Sequence, residues 1–307
     1  MIQALSPKHW KDYELIDSGD FQKLERFGPE GSGYITIRPE PQAIWAKHLS
    51  HQEWEKRAHV KFVPRSSSAG SWERRKQMPD QWQIGYGLKG DANTQIKFRL
   101  GLTSFKHVGI FPEQAENWDY IYECVKKMTS PQPSPKEREN IRVLNLFAYT
   151  GGASLAAKAA GGDTTHVDSI KQVVSWAREN MELSGLNNIR WVVEDALKFV
   201  KREVKRGNKY NGIILDPPAY GHGPTGEKWK LEDNINEMMQ AVLELLDDKN
   251  HFLILNAYSL GFSSLIIENM LKHKGGNTLQ TGELYLKSST DQKLPLGVFG
   301  RFCKISA

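Results

Sequence analysis

The sequence predicts an α/β protein in which a mostly parallel sheet, covered by helices on both faces, is preceded by a smaller β-rich part. Two observations support this prediction. After residue 140, short apolar runs alternate with segments of helical periodicity, as in repeated βα units. Before residue 110, strand-like runs are separated by turn residues, with little helical periodicity between them.

The front third contains four strand-like runs. Residues 13–17 and 34–38 are bordered by Ser-Gly-Asp and Gly-Ser-Gly turns. Residues 82–86 and 95–99 alternate apolar and polar side chains around a glycine-containing segment, which predicts a hairpin.

The hydrophobic pattern of the sequence changes from strand-like to helical near residue 114. Residues 117–128 have helical spacing, and the proline-rich segment that follows stops a helix, so 130–140 is interpreted as a surface linker. We therefore predict two domains, a small basic one over 1–105 and a larger one over 106–307.

The larger domain is predicted to alternate strands and helices. The expected strands are 141–147, 164–168, 189–193, 212–215, 251–255, 279–286 and 297–305. A helix is expected to begin at 152, and further helices to cover 170–183, 196–206, 231–246 and 263–273.

Composition excludes several classes of protein. Hydrophobic residues make up 39% of the 307 residues and charged residues 25%, which fits neither a membrane bundle nor a disordered chain. Because the N-terminus lacks a signal-peptide pattern, we expect a cytoplasmic protein. The two cysteines, Cys124 and Cys303, lie far apart without metal-ligand spacing, so neither a disulfide framework nor a metal site is expected. No heptad is evident, and we expect a monomer.

The net charge of +5 is confined to the front of the chain. Residues 1–110 contain 17 Lys and Arg against 12 Asp and Glu, whereas the remainder contains 24 of each. Within 56–76 the cations are interleaved with Phe62 and Trp72, a pattern that favours an RNA-binding surface over a solvated polar loop. The cations expected to contribute most are Arg74, Arg75 and Lys76.

Ligand-binding residues are predicted at three successive strand ends. Residues 143–147 lead into a glycine turn and then a helix rich in small residues, which lets backbone approach a ligand. The next two strands end at Asp168, suited to a ribose diol, and Asp195, suited to an adenine amino group. The alternative is that the turn only reverses the chain and that the two carboxylates cap helices.

The fourth strand ends in Asp216-Pro217-Pro218-Ala219-Tyr220. The prolines stop the strand and fix the backbone where Asp216 leaves the sheet. Gly-x-Gly-x-x-Gly is absent, which disfavours a dinucleotide-binding enzyme.

With these motifs, the sequence resembles the class I, Rossmann-like methyltransferases that depend on S-adenosylmethionine. It is most similar to the family related to the bacterial large-subunit ribosomal RNA cytosine-C5 methyltransferases, where Phe-Ala-Tyr-Thr-Gly-Gly (147–152) and Asp-Pro-Pro-x-aromatic (216–220) recur. The resemblance covers about 105–305. It implies a seven-stranded sheet with the last strand antiparallel, S-adenosylmethionine as cofactor, and an N-terminal domain that assists RNA binding.

The resemblance also implies roles for individual residues. Asp168 would hold the ribose, Asp195 and Ala196 would face adenine, and the turn after the first strand would line the methionine end. The implied cofactor-binding residues are Phe147, Ala148, Tyr149, Gly151, Asp168, Asp195, Ala196 and Asp216. Upstream, the family's usual Asp-Gln-Arg is replaced by Glu-Gln-Ala at 113–115, so a contact from that arginine is not expected.

The residues separate two kinds of acceptor. An exocyclic amine can be oriented by the Asp216 carboxylate and the Pro217 carbonyl, with Tyr220 stacking on a flipped base. Cytosine C5 requires a cysteine that adds to the ring, and the expected position, 255–259, has none. We therefore predict methylation of an amine or ring nitrogen of an RNA base, with Asp216, Pro217 and Tyr220 as the catalytic residues.

Two other functions fit the same motifs. One is a methyltransferase that acts on a small molecule or a protein side chain, and the other is a non-catalytic RNA-binding protein of the same fold. The glycine-rich segment 221–230 is either a mobile lid or an ordinary loop. His222 within it is a candidate general base, although a lone loop histidine is more often only solvated.

Overall fold

A computed structural model describes residues 2–66, 69–89, 91, 93–129, 140–258 and 261–305. Nearly all of the predicted linker 130–140 therefore lies outside the described residues. Within the described ranges, no helix is long and apolar enough to cross a membrane.

The front of the chain folds mainly into strands. In order these elements are β1 (Gln3–Leu5), β2 (Tyr13–Gly19), β3 (Gln22–Phe27), β4 (Tyr34–Pro39), α1 (His51–Arg57), β5 (Val60–Pro64), β6 (Gly70–Arg74), β7 (Gln81–Gly87) and β8 (Gln95–Gly101). Strands β2 to β6 form one sheet in chain order, in which only the β4–β5 pair is parallel. Strands β7 and β8 form the predicted hairpin.

The remainder of the chain alternates strands and helices as predicted. After a 3₁₀ turn (Pro112–Gln114) come α2 (Ala115–Thr129), β9 (Arg142–Leu146), α3 (Gly152–Ala159), β10 (Asp163–Asp168), α4 (Lys171–Leu183), β11 (Arg190–Val193), α5 (Ala196–Lys205) and β12 (Gly212–Leu215). These are followed by β13 (Tyr220–His222), β14 (Lys228–Lys230), α6 (Leu231–Leu245), β15 (His251–Ala257), α7 (Ser264–Gly275), β16 (Gln280–Lys287) and β17 (Lys293–Lys304).

The large sheet has the order β1-β16-β17-β15-β12-β9-β10-β11. All neighbours are parallel except β17, which is antiparallel to both β15 and β16. The α/β prediction and the antiparallel last strand are confirmed. The predicted count of seven strands is wrong, because β1 adds an eighth strand beside β16. Its three residues are too few to show an alternating pattern, so only the fold reveals the pairing.

The front part and the main sheet share one hydrophobic core. Trp82 and Phe98 of the hairpin belong to the same buried cluster as Trp118 of α2. Helix α4 adds polar contacts, since Trp176 Nε1 donates to the Arg99 carbonyl at 2.8 Å. The division of the chain at residue 105 stays a prediction about independent folding.

Strand direction determines where the site lies. The carboxyl ends of β9, β10, β11, β12 and β15 meet at one edge of the sheet, and the segments that leave these ends carry most of the predicted site residues. Open α/β sheets bind ligands at this edge, where successive helices leave on opposite faces.

Candidate active site

A pocket of about 700 Å³ opens at the carboxyl edge of the main sheet. One wall is formed by the turns that follow β9, β10, β11 and β12. The opposite wall comes from the front part of the chain and includes Lys23, Arg38 and Glu40. The volume lies within the range of small-molecule sites. The pocket therefore lies between the two parts of the chain rather than within the main sheet alone.

The turn after β9 has an unusual backbone. Phe147 and Tyr149 have positive φ angles of 54° and 49°, a region that non-glycine residues rarely occupy. Gly151, with φ 95°, caps α3, and a Cβ at this position would lie 3.1 Å from the Cβ of Ala177. Such strain persists where surrounding structure holds it and is frequent at ligand sites.

Asp168, at the end of β10, fixes this turn. One carboxylate oxygen accepts the Tyr149 N–H at 2.9 Å and the other accepts the Ile170 N–H at 3.0 Å. Burial raises the pKa of Asp168, and the backbone N–H groups partly oppose the increase. Each oxygen keeps a further lone pair that can accept from a ligand hydroxyl.

Asp195 shows the capping role that was the alternative interpretation. Its side chain accepts the Lys198 N–H at 2.9 Å at the start of α5. It also lines the pocket together with Ala196, so capping and ligand contact are compatible at this position.

Most of the implied cofactor residues come together in the pocket. Those that line it are Phe147, Tyr149, Asp168, Asp195, Ala196 and Asp216. Ala148 and Gly151 are not among its lining residues. Ala148 donates its N–H to the Val167 carbonyl and Gly151 is the N-cap of α3, so both stabilise the turn without lining the pocket.

Asp216 is partly buried where the chain leaves β12. Burial raises its pKa to about 6, while a hydrogen bond from Asn256 Nδ2 to Asp216 Oδ1 at 2.9 Å opposes the increase. Asn256 lies on β15, and its Oδ1 is buried without a hydrogen-bond partner among the described residues. Oδ2 of Asp216 accepts no hydrogen bond from the described residues, so it is the acceptor that this pair presents to the pocket.

The two prolines after Asp216 are held in place by Trp229. Trp229 Nε1 donates to the Pro218 carbonyl at 2.7 Å, and the Trp229 ring lies 4.8 Å from the Phe147 ring. Within the described part of the chain, no donor bonds to the Pro217 carbonyl. That carbonyl is the group that the sequence predicted would orient an amine.

The segment 221–230 forms most of a short hairpin rather than an open loop. Tyr220 pairs with Lys230 and His222 with Lys228 in antiparallel register. The side chain of Tyr220 is 69% exposed at the pocket rim, where an aromatic ring has room to stack on a base. His222 also lines the rim.

Sequence reasoning missed the wall contributed by the front part. Glu40 accepts from the Tyr258 hydroxyl at 2.8 Å and forms an ion pair with Lys23 at 3.3 Å. Arg38 lies opposite Lys23 in the β3–β4 register and pairs with buried Glu25 at 2.6 Å. The contact between Glu40 and Tyr258 joins residues 218 positions apart, so no local pattern indicates it.

Glu113 is a further pocket residue that no motif of the sequence indicates. It lies in the 3₁₀ turn before α2, is only 5% exposed and lines the pocket. Burial raises its pKa to about 7; Lys23 opposes this increase, whereas Asp216 and Glu40 add to it. The only sequence feature that marked this position was Glu-Gln-Ala at 113–115, where the family usually has Asp-Gln-Arg.

The predicted RNA-binding cations, here called the 74–76 cluster, all have intramolecular partners. Arg74 pairs with Asp80, and Arg75 pairs with Glu55 at 3.1 Å and with Glu73 at 3.3 Å. Lys76 donates to the Arg57 carbonyl at 3.0 Å. Because exposed ion pairs contribute little free energy, these cations can still exchange partners with phosphates.

The two cysteines lie outside the pocket. Cys124 on α2 and Cys303 on β17 are hydrogen-bonded neighbours, and both are free thiols. Neither is a lining residue. Since the sequence contains only these two cysteines, no thiolate faces an acceptor.

The residues present fit S-adenosylmethionine. The strained turn, the carboxylate of Asp168 and the end of β11 line one continuous cavity that ends at Asp216. Oδ2 of Asp216, at the end of the same cavity, accepts no hydrogen bond from the described residues and can take one from a ligand.

Comparison with known proteins agrees with this geometry. The model of the family described as conserved hypothetical protein 95 matches residues 127–257. Ribosomal RNA large subunit methyltransferase K/L of Shewanella frigidimarina is 29% identical over 52% of this chain and 21% of its own length. Ribosomal RNA large subunit methyltransferase I of Aeromonas hydrophila is 37% identical over 42% of this chain and 30% of its own length. The chain thus spans less than a third of the length of either relative.

A solved structure matches over nearly the whole chain. The SAM-dependent methyltransferase from Agrobacterium tumefaciens superimposes with a TM-score of 0.84 at 34% identity, covering 98% of this chain and 93% of that one. The match includes the front part as well as the main sheet. Together with the sheet order and the strand-end residues, it shows that the chain belongs to the class I, Rossmann-like family of S-adenosylmethionine-dependent methyltransferases.

Proposed function

We propose that this protein transfers a methyl group from S-adenosylmethionine to an amine or ring nitrogen of a nucleobase in RNA, with ribosomal RNA as the substrate class. The observation that carries the proposal is the arrangement of Asp216, Pro217 and Asn256 at the end of the cofactor pocket. It offers hydrogen-bond acceptors to an N–H nucleophile and no thiolate to a carbon.

The bound cofactor supplies an electrophilic methyl group, so the protein has mainly to position the acceptor and exclude water. Asp168 binds the ribose hydroxyls, and Asp195 with Ala196 faces the adenine. Asp216 and the Pro217 carbonyl accept an N–H of the acceptor, which directs its lone pair at the methyl carbon. Tyr220 stacks on the flipped base at the pocket rim.

The absence of a cysteine from the pocket argues against cytosine C5. That carbon becomes nucleophilic only after a thiolate adds to the ring. Position 256, on the strand after which the C5 enzymes are expected to carry this cysteine, is an asparagine that bonds to Asp216. An asparagine amide cannot add covalently, but it does hold the carboxylate in place for a nitrogen acceptor.

RNA is favoured as the substrate by the relatives named as ribosomal RNA methyltransferases and by the charge of the front part. The 74–76 cluster lies on and just after β6 in the same sheet as β3 and β4, which supply the pocket wall. Phosphates bound there would be held by the same sheet that closes the acceptor pocket. Such an enzyme would act in the cytoplasm, and we propose that it does so as a monomer.

The test is a calorimetric titration with S-adenosylmethionine and S-adenosylhomocysteine, with NAD as control, followed by labelled-methyl transfer to total RNA. We expect both sulfur ligands to bind, NAD to fail, and the label to enter RNA. Cofactor binding with label only in protein or small molecules would refute RNA as the acceptor. No binding of either sulfur ligand would refute the cofactor site.

A further inference from the structure

We propose that Glu113 is a second acceptor-binding carboxylate, which holds one N–H of a primary amino group on the base and takes the proton that this nitrogen releases. The inference rests on the proposed function and narrows its substrate class. It assigns a role to a side chain that the roles of Asp216, Pro217 and Tyr220 leave unexplained.

The first support is the state of the Glu113 side chain. It is 95% buried, and it forms no ion pair or side-chain hydrogen bond with any described residue. Among the described residues, its carboxylate accepts a hydrogen bond only from the backbone N–H of Glu113 itself. Buried carboxylates are normally paired, since an unpaired one is strongly unfavourable. An unpaired, buried carboxylate on a pocket wall therefore requires a hydrogen-bond donor from a ligand.

The second support is another carboxyl group that lines the same pocket. Asp216 lines the same pocket and is close enough for its charge to disfavour ionisation of Glu113. Asn256 occupies Oδ1 of Asp216, so the two carboxyl groups together present acceptor oxygens that the protein leaves without donors. A ligand that satisfies both must offer two N–H groups.

A primary amino group meets this requirement. Its two N–H bonds point in different directions within one plane, so one can be donated to Asp216 and the other to Glu113. The exocyclic amines of adenine, cytosine and guanine have this form, whereas a ring nitrogen has at most one N–H. The site therefore selects an exocyclic amine.

The same arrangement limits the product. A monomethylated amine has one N–H, and binding it again for a second transfer would place a methyl group against a buried carboxylate. That would leave the carboxylate without a donor, which carries a large penalty. We expect one methyl group per amine.

The proton balance assigns the remaining role. As the acceptor nitrogen forms its bond to the methyl carbon, the carbon–sulfur bond breaks and its electron pair stays on sulfur. The nitrogen then carries a positive charge and loses one proton to the carboxylate of Glu113. The products are the methylamino base, the neutral thioether and protonated Glu113, so atoms and charge balance.

The charged and titratable groups around Glu113 come from several elements. Lys23 of β3 favours its ionised form, whereas Asp216 after β12 and Glu40 after β4 favour the neutral form. Two tyrosines also interact with it, Tyr13 of β2 and Tyr258 after β15. Because burial dominates and raises the pKa of Glu113 to about 7, we expect the rate to rise with pH through that value.

The experiment compares wild type with Glu113→Gln and with a matched control, Glu116→Gln. Glu116 lies one helical turn further on, is half-buried and does not line the pocket. We measure single-turnover methyl transfer to RNA from pH 5.5 to 9, affinity for S-adenosylhomocysteine, and the modified nucleoside by mass. We expect Glu113→Gln to be about 100-fold slower at pH 8 and to lose the rise near pH 7, with thioether affinity within twofold of wild type. Glu116→Gln should keep the wild-type profile, and the product should be a monomethylated exocyclic amine.

Several outcomes would overturn the inference. If Glu113→Gln labels RNA at the same rate as Glu116→Gln, Glu113 does not accept the proton that the nitrogen releases. A large loss of thioether affinity would show that it binds the cofactor instead. A methyl group found on a ring nitrogen or on carbon would refute the exocyclic amine as the acceptor, while the proposal of RNA as substrate would stand. No label in RNA from wild type would refute the proposed function, and this inference with it.

Discussion

The most quantitative prediction concerns protein stability in the variant Glu113→Gln. The usual pKa of a glutamate is 4.5, and burial raises that of Glu113 to about 7. At 1.36 kcal/mol for each unit of pH, this difference corresponds to about 3 kcal/mol. Glu113 binds its proton more tightly in the folded state than in the unfolded state. Its favourable contribution to the free energy of unfolding is therefore complete below pH 4.5 and is lost as pH rises through 7.

Glutamine has the shape of the protonated carboxyl but does not ionise. We therefore expect Glu113→Gln and wild type to have similar free energies of unfolding at pH 4.5. At pH 8 the variant should be more stable by up to about 3 kcal/mol, because it avoids the buried charge. Urea unfolding across this range, followed by tryptophan fluorescence, measures the difference directly.

The control is Glu182→Gln, which alters an exposed carboxylate on α4. The pH dependence of the Glu113→Gln difference is measured against this variant. Burial raises the pKa of Asp216 to about 6, and this residue is present in both the variant and wild type. The free energy of unfolding should therefore still fall in both proteins as pH rises through about 6. A difference between wild type and Glu113→Gln that does not change with pH would refute the argument that Glu113 is a buried, unpaired acid.

Three further predictions test other parts of the site. Asp216→Ala should slow methyl transfer at least 100-fold while S-adenosylhomocysteine still binds, whereas His222→Ala should remain within threefold of wild type; comparable rates in the two variants would contradict the assigned roles. Replacing all three cations of the 74–76 cluster by alanine should weaken RNA binding and reduce the slope of log affinity against log salt concentration by about 2. An unchanged slope would show that RNA binds at another surface. Gly151→Ala should destabilise the fold by about 1–2 kcal/mol in urea unfolding, because φ is 95° and the new Cβ would crowd Ala177; unchanged stability would show that the turn relaxes.

The local parts of the fold were predictable from the sequence. Strand β12 is a continuous apolar run, and the acidic residue Asp216 marks where the chain leaves it. Both signals lie within a few residues of each other, so they are readable without knowledge of tertiary contacts. Asp168 and Asp216 were identified for this reason.

The remainder depends on contacts between distant parts of the chain. Lys23 and Glu40 show no chemical motif, and they become part of the pocket only because β3 and β4 pack opposite the main sheet. The interaction of Glu40 with Tyr258 has the same origin. Packing, rather than periodicity, decides which polar residues of the front part face a ligand.

Pairing across strands also changes how the basic segment is interpreted. Counted along the chain, residues 56–76 contain Glu73 as their only acid. In the fold, Glu55 of α1 reaches both Lys61 and Arg75, and Asp80 reaches Arg74. The electrostatic potential at this surface is therefore weaker than the local count suggests.

Nucleoside mass analysis of RNA incubated with the enzyme and isotopically labelled S-adenosylmethionine would identify the methylated atom. We expect a labelled nucleoside with its methyl group on nitrogen, formed by wild type and not by Asp216→Ala. A methyl group on cytosine C5, or RNA without label from an enzyme that binds the cofactor, would contradict this expectation.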